Sequence, residues 1–172
     1  MELVVFVDER DRELGVGEKL EVHTSGKLHR AISVFVFNSR GELLLQRRAH
    51  GKYHAPEQWS NTCCTHPRPG ETPEEAAHRR LREEMGFDCP LEKVLETVYR
   101  VDVGGGMVEH EFDHVFVGRF NGEPVPDRSE VREFKWMGVK ELKRDMGKNP
   151  KDYTPWFRVL LPRLLEVLDW TQ

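Results

Sequence analysis

The sequence predicts an α/β protein with one mixed β-sheet flanked by helices. Three observations carry this reading. Strand-like runs outnumber helical ones, the connections between them are mixed in length, and 172 residues make one domain with a sizeable core. Leu3–Glu9 (LVVFVDE) reads as a first strand running into the charged turn DERDRELG. Ala31–Phe37, the turn NSRG and Glu42–Arg48 form the clearest hairpin. AHGKYHAPEQ is polar, contains Gly and Pro, and reads as a surface loop.

Thr72 precedes Pro73, and proline favours the first helical turn, so a helix is expected from Pro73 to Met85 with Gly86 as its stop. Val94–Val101 and Glu109–Phe120 are expected strands separated by the flexible DVGGGM, and Glu133–Met137 is another. Two helices follow, Val139–Met146 and Pro155–Leu168, the second kinked at Pro162. Residues 1–172 show no repeat, linker or low-complexity tract, so one domain is expected.

Charged residues are 33% and apolar ones 38%, and the net charge of −4 supplies no basic field for nucleic acid or an anionic membrane. An anionic ligand must then be met by a local cluster of Lys and Arg. No apolar run suits a signal peptide or a membrane span. Three cysteines do not make an even disulfide framework, so reduced thiols in a cytoplasmic protein are expected. Without an evident apolar seam, a monomer is the simplest expectation.

The chemistry concentrates between Trp59 and Phe87. A Cys-x-His pair, Cys64 and His66, precedes a helix carrying Glu83 and Glu84 just before Gly86. Arg80 and Glu84 share a helical face, as do Arg79 and Glu83, and a salt-bridged solvated surface is the plain reading of such pairs. Here the carboxylates abut the helix stop and follow the Cys-x-His loop, which turns the reading toward an active site. Glu109 and Glu111 project to one face of their strand, while Phe112 gives the other face apolar character. The acids therefore face either solvent or a cavity.

Glu71, Arg79, Leu81, Glu83, Glu84, Gly86 and Phe87 fall on the fixed positions of the Nudix box, a loop–helix–loop that binds a divalent cation at a diphosphate. Two positions depart: Thr65 stands where the box opens with Gly, and Arg80 stands where hydrolases place a metal-binding Glu. Trp59, Ser60, Asn61, Cys64, His66 and Pro67 meet the motif W-[ST]-N-x-x-C-x-H-P. On these residues the chain, from about Lys19 to Trp156, resembles the type I isopentenyl-diphosphate isomerases, a Nudix branch that leaves the diphosphate uncut.

The resemblance implies a Nudix-type sheet sandwiched between helices and a 1,3-allylic proton shift between isopentenyl and dimethylallyl diphosphate. It implies that Cys64 and Glu111 are the acid–base pair flanking the carbon skeleton, that Tyr99 hydrogen-bonds the carboxylate and that Trp156 faces the carbocation. His23, His29, His66, Glu109 and Glu111 would hold one metal; three imidazoles and two carboxylates suit Zn²⁺ or Mn²⁺ better than Mg²⁺. Glu84 matches the carboxylate of a second ion, Mg²⁺, on the diphosphate. Lys19, Arg48, Lys52 and Arg80 match the diphosphate-facing cations. His50, His54, His78, His110 and His114 have no match and are expected to be structural or exposed, with Cys63 and Cys89 as small buried residues. Each of these residues taken alone has an ordinary reading as core packing or surface charge. The competing activity is a Nudix pyrophosphohydrolase, which Arg80 disfavours; nucleophilic catalysis by Cys64 is the rival use of the thiol.

Overall fold

The structure, a computed structural model, describes residues 2–52 and 54–168. The elements run β1 (Leu3–Val7), β2 (Glu13–Glu18), α1 (Lys19–Ser25), β3 (His29–Phe37), β4 (Glu42–Arg48), β5 (Trp59–Ser60) and β6 (Cys63–Thr65). They continue through α2 (Pro73–Met85), β7 (Leu91–Gly104), β8 (Met107–Arg119), β9 (Val131–Gly138), α3 (Val139–Lys148), a short 3₁₀ turn and α4 (Pro155–Val167). The α/β class and the mixed sheet are as expected. Three details differ.

First, the turn after β1 is shorter than expected. The Asp8 carboxylate accepts from the backbone N–H of Arg10 and Arg12, closing the turn early, and the rest of the stretch enters β2, which pairs antiparallel with β1. β2 and α1 had no counterpart in the sequence reading, because ELGVGE offers only Leu14 and Val16 among glycines and acids and α1 spans only seven residues. Second, β3 and β4 do share the expected turn, with Asn38 Oδ1 accepting from Arg40 and Glu42 N–H, yet they pair only at Phe37–Leu43. β3 then runs parallel to β8 and antiparallel to β6, while β4 pairs with β5 and β9. Every residue of β3 is buried, so both its faces need cover that a simple hairpin does not supply. Third, the flexible DVGGGM is a tight β7–β8 hairpin in which Gly105 and Gly106 have φ of 63° and 75°, the left-handed pair a two-residue turn requires.

The strand period sorts the core into two layers. Ile32, Val34, Val36 and Phe116 pack with Ala76, Ala77, Leu81 and Met85 of α2. Phe35, Phe37 and Val115 face the other way, onto Phe157, Leu160, Leu161 and Leu164 of α4. Each fully buried Leu or Phe contributes about 1.5–3 kcal/mol of transfer free energy. α2 begins where Thr72 accepts from the Glu75 N–H and ends at Gly86, whose φ is 70°. A Cβ at Gly86 would also lie 2.2 Å from the Val125 carbonyl oxygen, so this end of the helix admits only glycine. Pro162 lies within α4 without ending it.

Candidate active site

The functional side chains are the polar continuation of one sheet face. Residues of odd number in β3 and β8 share that face, and its apolar half ends at Phe35 and Val115. Beyond them the same face carries Ser33 and His29 on β3, with Asp113, Glu111 and Glu109 on β8. Cross-strand pairing aligns Tyr99, Glu111 and His29 in one row across β7, β8 and β3. On the opposite flank of β3, Cys64 pairs with Ser33. The two expected acid–base residues therefore stand on strands either side of β3.

His23, His29, His66, Glu109 and Glu111 converge as expected: all are buried, and one ligand atom from each lies within 4.8 Å of the others. His23 comes from α1 and His66 from the loop after β6. His23 Nδ1 donates to the Lys19 carbonyl at 2.5 Å, and His29 Nδ1 to the Lys27 carbonyl at 2.9 Å. In the neutral rings the lone pair then lies on Nε2, turned toward the carboxylates, the orientation that outer-shell partners impose on metal-binding histidines. His23 Nε2 is 2.8 Å from Glu109 Oε1, His29 Nε2 3.3 Å from Glu111 Oε2 and His66 Nε2 2.7 Å from Glu111 Oε2. His29 Nε2 and Glu109 Oε2 are buried and make no hydrogen bond among the described residues. Converging acceptors of this kind fit a bound cation, with a mixed imidazole and carboxylate donor set.

Charge around the cluster is unevenly shared. Burial opposes the ionised form of Glu111, but the adjacent His66 and His29 imidazoles hold its carboxyl well below the usual range. Asp113 has no such partners; burial and the neighbouring charge on Glu111 push it well above. The Ser33 hydroxyl bonds Asp113 Oδ2 at 2.7 Å and stands 3.5 Å from Cys64 Sγ. Asn61 Nδ2 reaches the same sulfur at 3.2 Å. Burial, with Asp113 adding to it, pushes the Cys64 thiol up to about 12, so the sulfur keeps its proton at neutral pH. The Tyr99 hydroxyl donates to Glu111 Oε1, and burial beside that carboxylate raises the phenol far above its ordinary value.

A cavity of about 360 Å³ opens above this face and extends to α2. At its far end Arg80 Nη2 donates to Glu84 Oε2 at 2.7 Å and to Glu130 Oε2 at 3.0 Å, and Gln46 Nε2 donates to Glu84 Oε1 at 3.1 Å. Lys52 pairs with Glu130 and Lys19 with Glu2. Lys19, Arg48, Lys52, Arg80, Glu84 and Trp156 all line this space together with Cys64, His66, Glu109 and Glu111. Burial and the nearby cations lower the Lys52 ammonium to about 8. Arg80 Nε is buried without a hydrogen-bond partner among the described residues, a donor left for an anion. Trp156 is buried with the Arg48 guanidinium 5.0 Å from its ring centre.

Of the histidines without a family match, one lies at the site. His54, expected to be structural or exposed, is buried in the cavity wall with Nε2 2.8 Å from Glu109 Oε1. Its loop has no periodicity, so nothing local announced which way the ring turns. The other four behave as expected: His50 is exposed, His78 pairs with Asp88, His110 bonds the Gly26 carbonyl and His114 bonds Asp11. Cys63 is buried as expected, while Cys89 is half-buried. The sequence reading also passed over Asp113, Ser33 and Glu130. Strand parity marks the first two, two and four residues beyond Glu111 and His29; Glu130 gives no local signal.

A NUDIX domain model matches residues 27–157, which defines the class of this fold and site. The chain is 51% identical to Isopentenyl-diphosphate Delta-isomerase 2 of Aromatoleum aromaticum over 94% of its own length and 86% of that protein. It is 47% identical to Isopentenyl-diphosphate Delta-isomerase of Halorhodospira halophila over 99% of its length and 98% of that protein. Among solved structures, DR0079 of Deinococcus radiodurans superposes with a TM-score of 0.73 at 21% identity, covering 86% of this chain and 90% of that one; this shows the fold. The chain belongs to the isopentenyl-diphosphate Delta-isomerase branch of the NUDIX family. Among the described residues no helix is long and apolar enough to cross a membrane.

Proposed function

We propose that the protein interconverts isopentenyl diphosphate and dimethylallyl diphosphate by proton addition and removal. The observation that carries this is the placement of Cys64 and Glu111 on strands flanking β3, at one cavity whose other end is cationic. A proton added to the terminal alkene carbon leaves a tertiary cation, and loss of a proton from the neighbouring CH₂ re-forms the double bond one position along. One acid and one base must flank the skeleton, each within hydrogen-bond reach of its carbon. Cys64, kept neutral by burial, and Glu111, kept ionised by its histidines, are already in complementary protonation states.

Tyr99 orients Glu111. The Trp156 ring stabilises the cation, a contribution of about 2 kcal/mol in a dry site, without offering a nucleophile that would trap it. Lys19, Arg48, Lys52 and Arg80 bind the diphosphate. Arg80, bonded to Glu84, places a positive charge where a Nudix hydrolase needs a carboxylate, so the phosphorus is anchored and not attacked. His23, His29, His66, Glu109 and Glu111 would hold Mn²⁺ or Zn²⁺, and Glu84 would contribute to an Mg²⁺ on the diphosphate. These ions supply positive charge that fixes the carboxylates and neutralises the substrate. The three free cysteines favour a cytoplasmic setting, and we infer a monomer that takes a small diphosphate and metal ions, with no nucleic-acid or membrane partner.

The test is incubation with isopentenyl diphosphate, Mg²⁺ and Mn²⁺, following dimethylallyl diphosphate and free phosphate together. Isomer without phosphate is expected. Phosphate release without isomer would replace this reading with that of a pyrophosphohydrolase.

A further inference from the structure

His54 stands beside the His/Glu cluster, yet its ring is turned the opposite way from His23 and His29. Arg48 Nη2 lies 3.3 Å from His54 Nδ1. A guanidinium only donates, so Nδ1 accepts, and the neutral ring carries its proton on Nε2. That Nε2–H points at Glu109 Oε1, 2.8 Å away. His23 and His29 instead spend Nδ1–H on backbone carbonyls and turn the Nε2 lone pair inward. Of the four imidazoles around Glu109, His54 thus presents a donor where a metal ligand needs a lone pair. Its ring also lies 5.4 Å from that of Trp156, which packs the imidazole from the side.

We propose that His54 is a positioning residue: outside the ligand set, it fixes Glu109 through Nε2–H···Oε1 and ties that ligand to the diphosphate-facing Arg48. With Oε1 held, the carboxylate presents Oε2 toward His29 Nε2, 3.8 Å away, where the cluster has its unpartnered atoms. The chain Arg48–His54–Glu109 joins the cationic end of the cavity to its His/Glu end through two hydrogen bonds. Outer-shell partners of this type change metal affinity by about 10–100-fold when removed.

This inference rests on the metal centre proposed above, and its test separates the two. Mn²⁺ affinity is measured by titration of the metal-free full-length protein and of His54→Ala and His54→Gln. Loss of about 10–100-fold in His54→Ala is expected, with His54→Gln, whose amide N–H can replace the donor, within a factor of about three of the unsubstituted protein. An unchanged affinity in His54→Ala overturns the proposal while leaving the metal centre intact, and equal losses in both variants overturn it as well. Absence of tight Mn²⁺ binding by the unsubstituted protein overturns the centre and, with it, this role. In the ¹⁵N-labelled Zn²⁺-loaded protein, His54 is expected to show the Nε2–H tautomer; a metal-bound Nε2 signal would make it a ligand and refute the assignment.

Discussion

Replacing Arg80 with alanine tests the idea that this helix anchors a diphosphate. Arg80 Nη2 bonds Glu84 and Glu130, and its Nε is buried without a hydrogen-bond partner among the described residues. A charge-assisted hydrogen bond contributes about 1.5–3 kcal/mol. Losing one to the diphosphate therefore weakens binding about 10–150-fold, at 1.4 kcal/mol for each factor of ten. The Arg80 guanidinium also bridges the Glu84 and Glu130 carboxylates, and removing that positive charge from between them places the expected loss in the upper part of that range. The diphosphate is chemically unchanged between substrate, cation and product, so the contact is equally strong in ground and transition states. Loss of such uniform binding raises KM and spares kcat. Steady-state isomerisation at saturating Mg²⁺ separates the two constants. Arg80→Lys, which keeps the charge and loses the planar fork, is expected to fall between. A KM within about threefold of the original, or a collapsed kcat with normal KM, would refute the anchoring argument.

Cys64→Ala is expected to lower kcat by about 10²–10⁴ while metal content is unchanged, because the thiol lies within hydrogen-bond distance of Ser33 and Asn61 and is outside the His/Glu ligand set; metal analysis beside turnover checks both halves, and normal turnover would remove Cys64 from the mechanism. Glu71 accepts from Arg79 Nε at 2.7 Å and Nη2 at 2.9 Å, and these bonds, against a smaller opposing effect of burial, hold its carboxyl below the ordinary 4.5. A depressed folded pKa means that this stabilisation is complete above 4.5 and is lost as pH falls through the folded value. Glu71→Gln is therefore expected to be less stable than the parent near neutral pH, with the gap closing in acid. Chemical denaturation at both pH values reads this, and a gap that widens in acid would contradict it.

Much of the α2 side of the site was legible in the sequence because it is local. Thr72, Pro73 and Gly86 delimit a helix by capping chemistry, and the i to i+4 spacing puts Arg80 on Glu84 without reference to the rest of the chain. Strand parity likewise placed Glu109 and Glu111 on one face. It left open whether that face met solvent or a cavity, since this depends on what β3 and α1 bring against it. The hairpin at Asn38–Gly41 was read correctly as a turn, but its two strands part after one pair, because β6 pairs with β3 at Ile32–Val34 and β8 pairs along β3 from His29 to Phe37. α1 was missed because seven residues with little periodicity are stabilised by docking and not by their own propensity.

The sequence by itself determined the helix of the box with its Arg80 substitution, the Cys-x-His spacing, and the residues whose pattern matches the isomerases; that Cys64 lies on a strand, β6, was not read from it. These are statements about neighbours within a few positions, where backbone geometry is nearly fixed by residue type. Only the tertiary structure decided that His23, His29, His66, Glu109 and Glu111 meet within 4.8 Å, that Cys64 and Glu111 flank β3, and that His54 turns a donor toward Glu109. Those contacts join segments separated by dozens of residues. Their geometry follows from sheet register and from burial, which sets side-chain direction and protonation through surroundings that no local stretch of sequence contains.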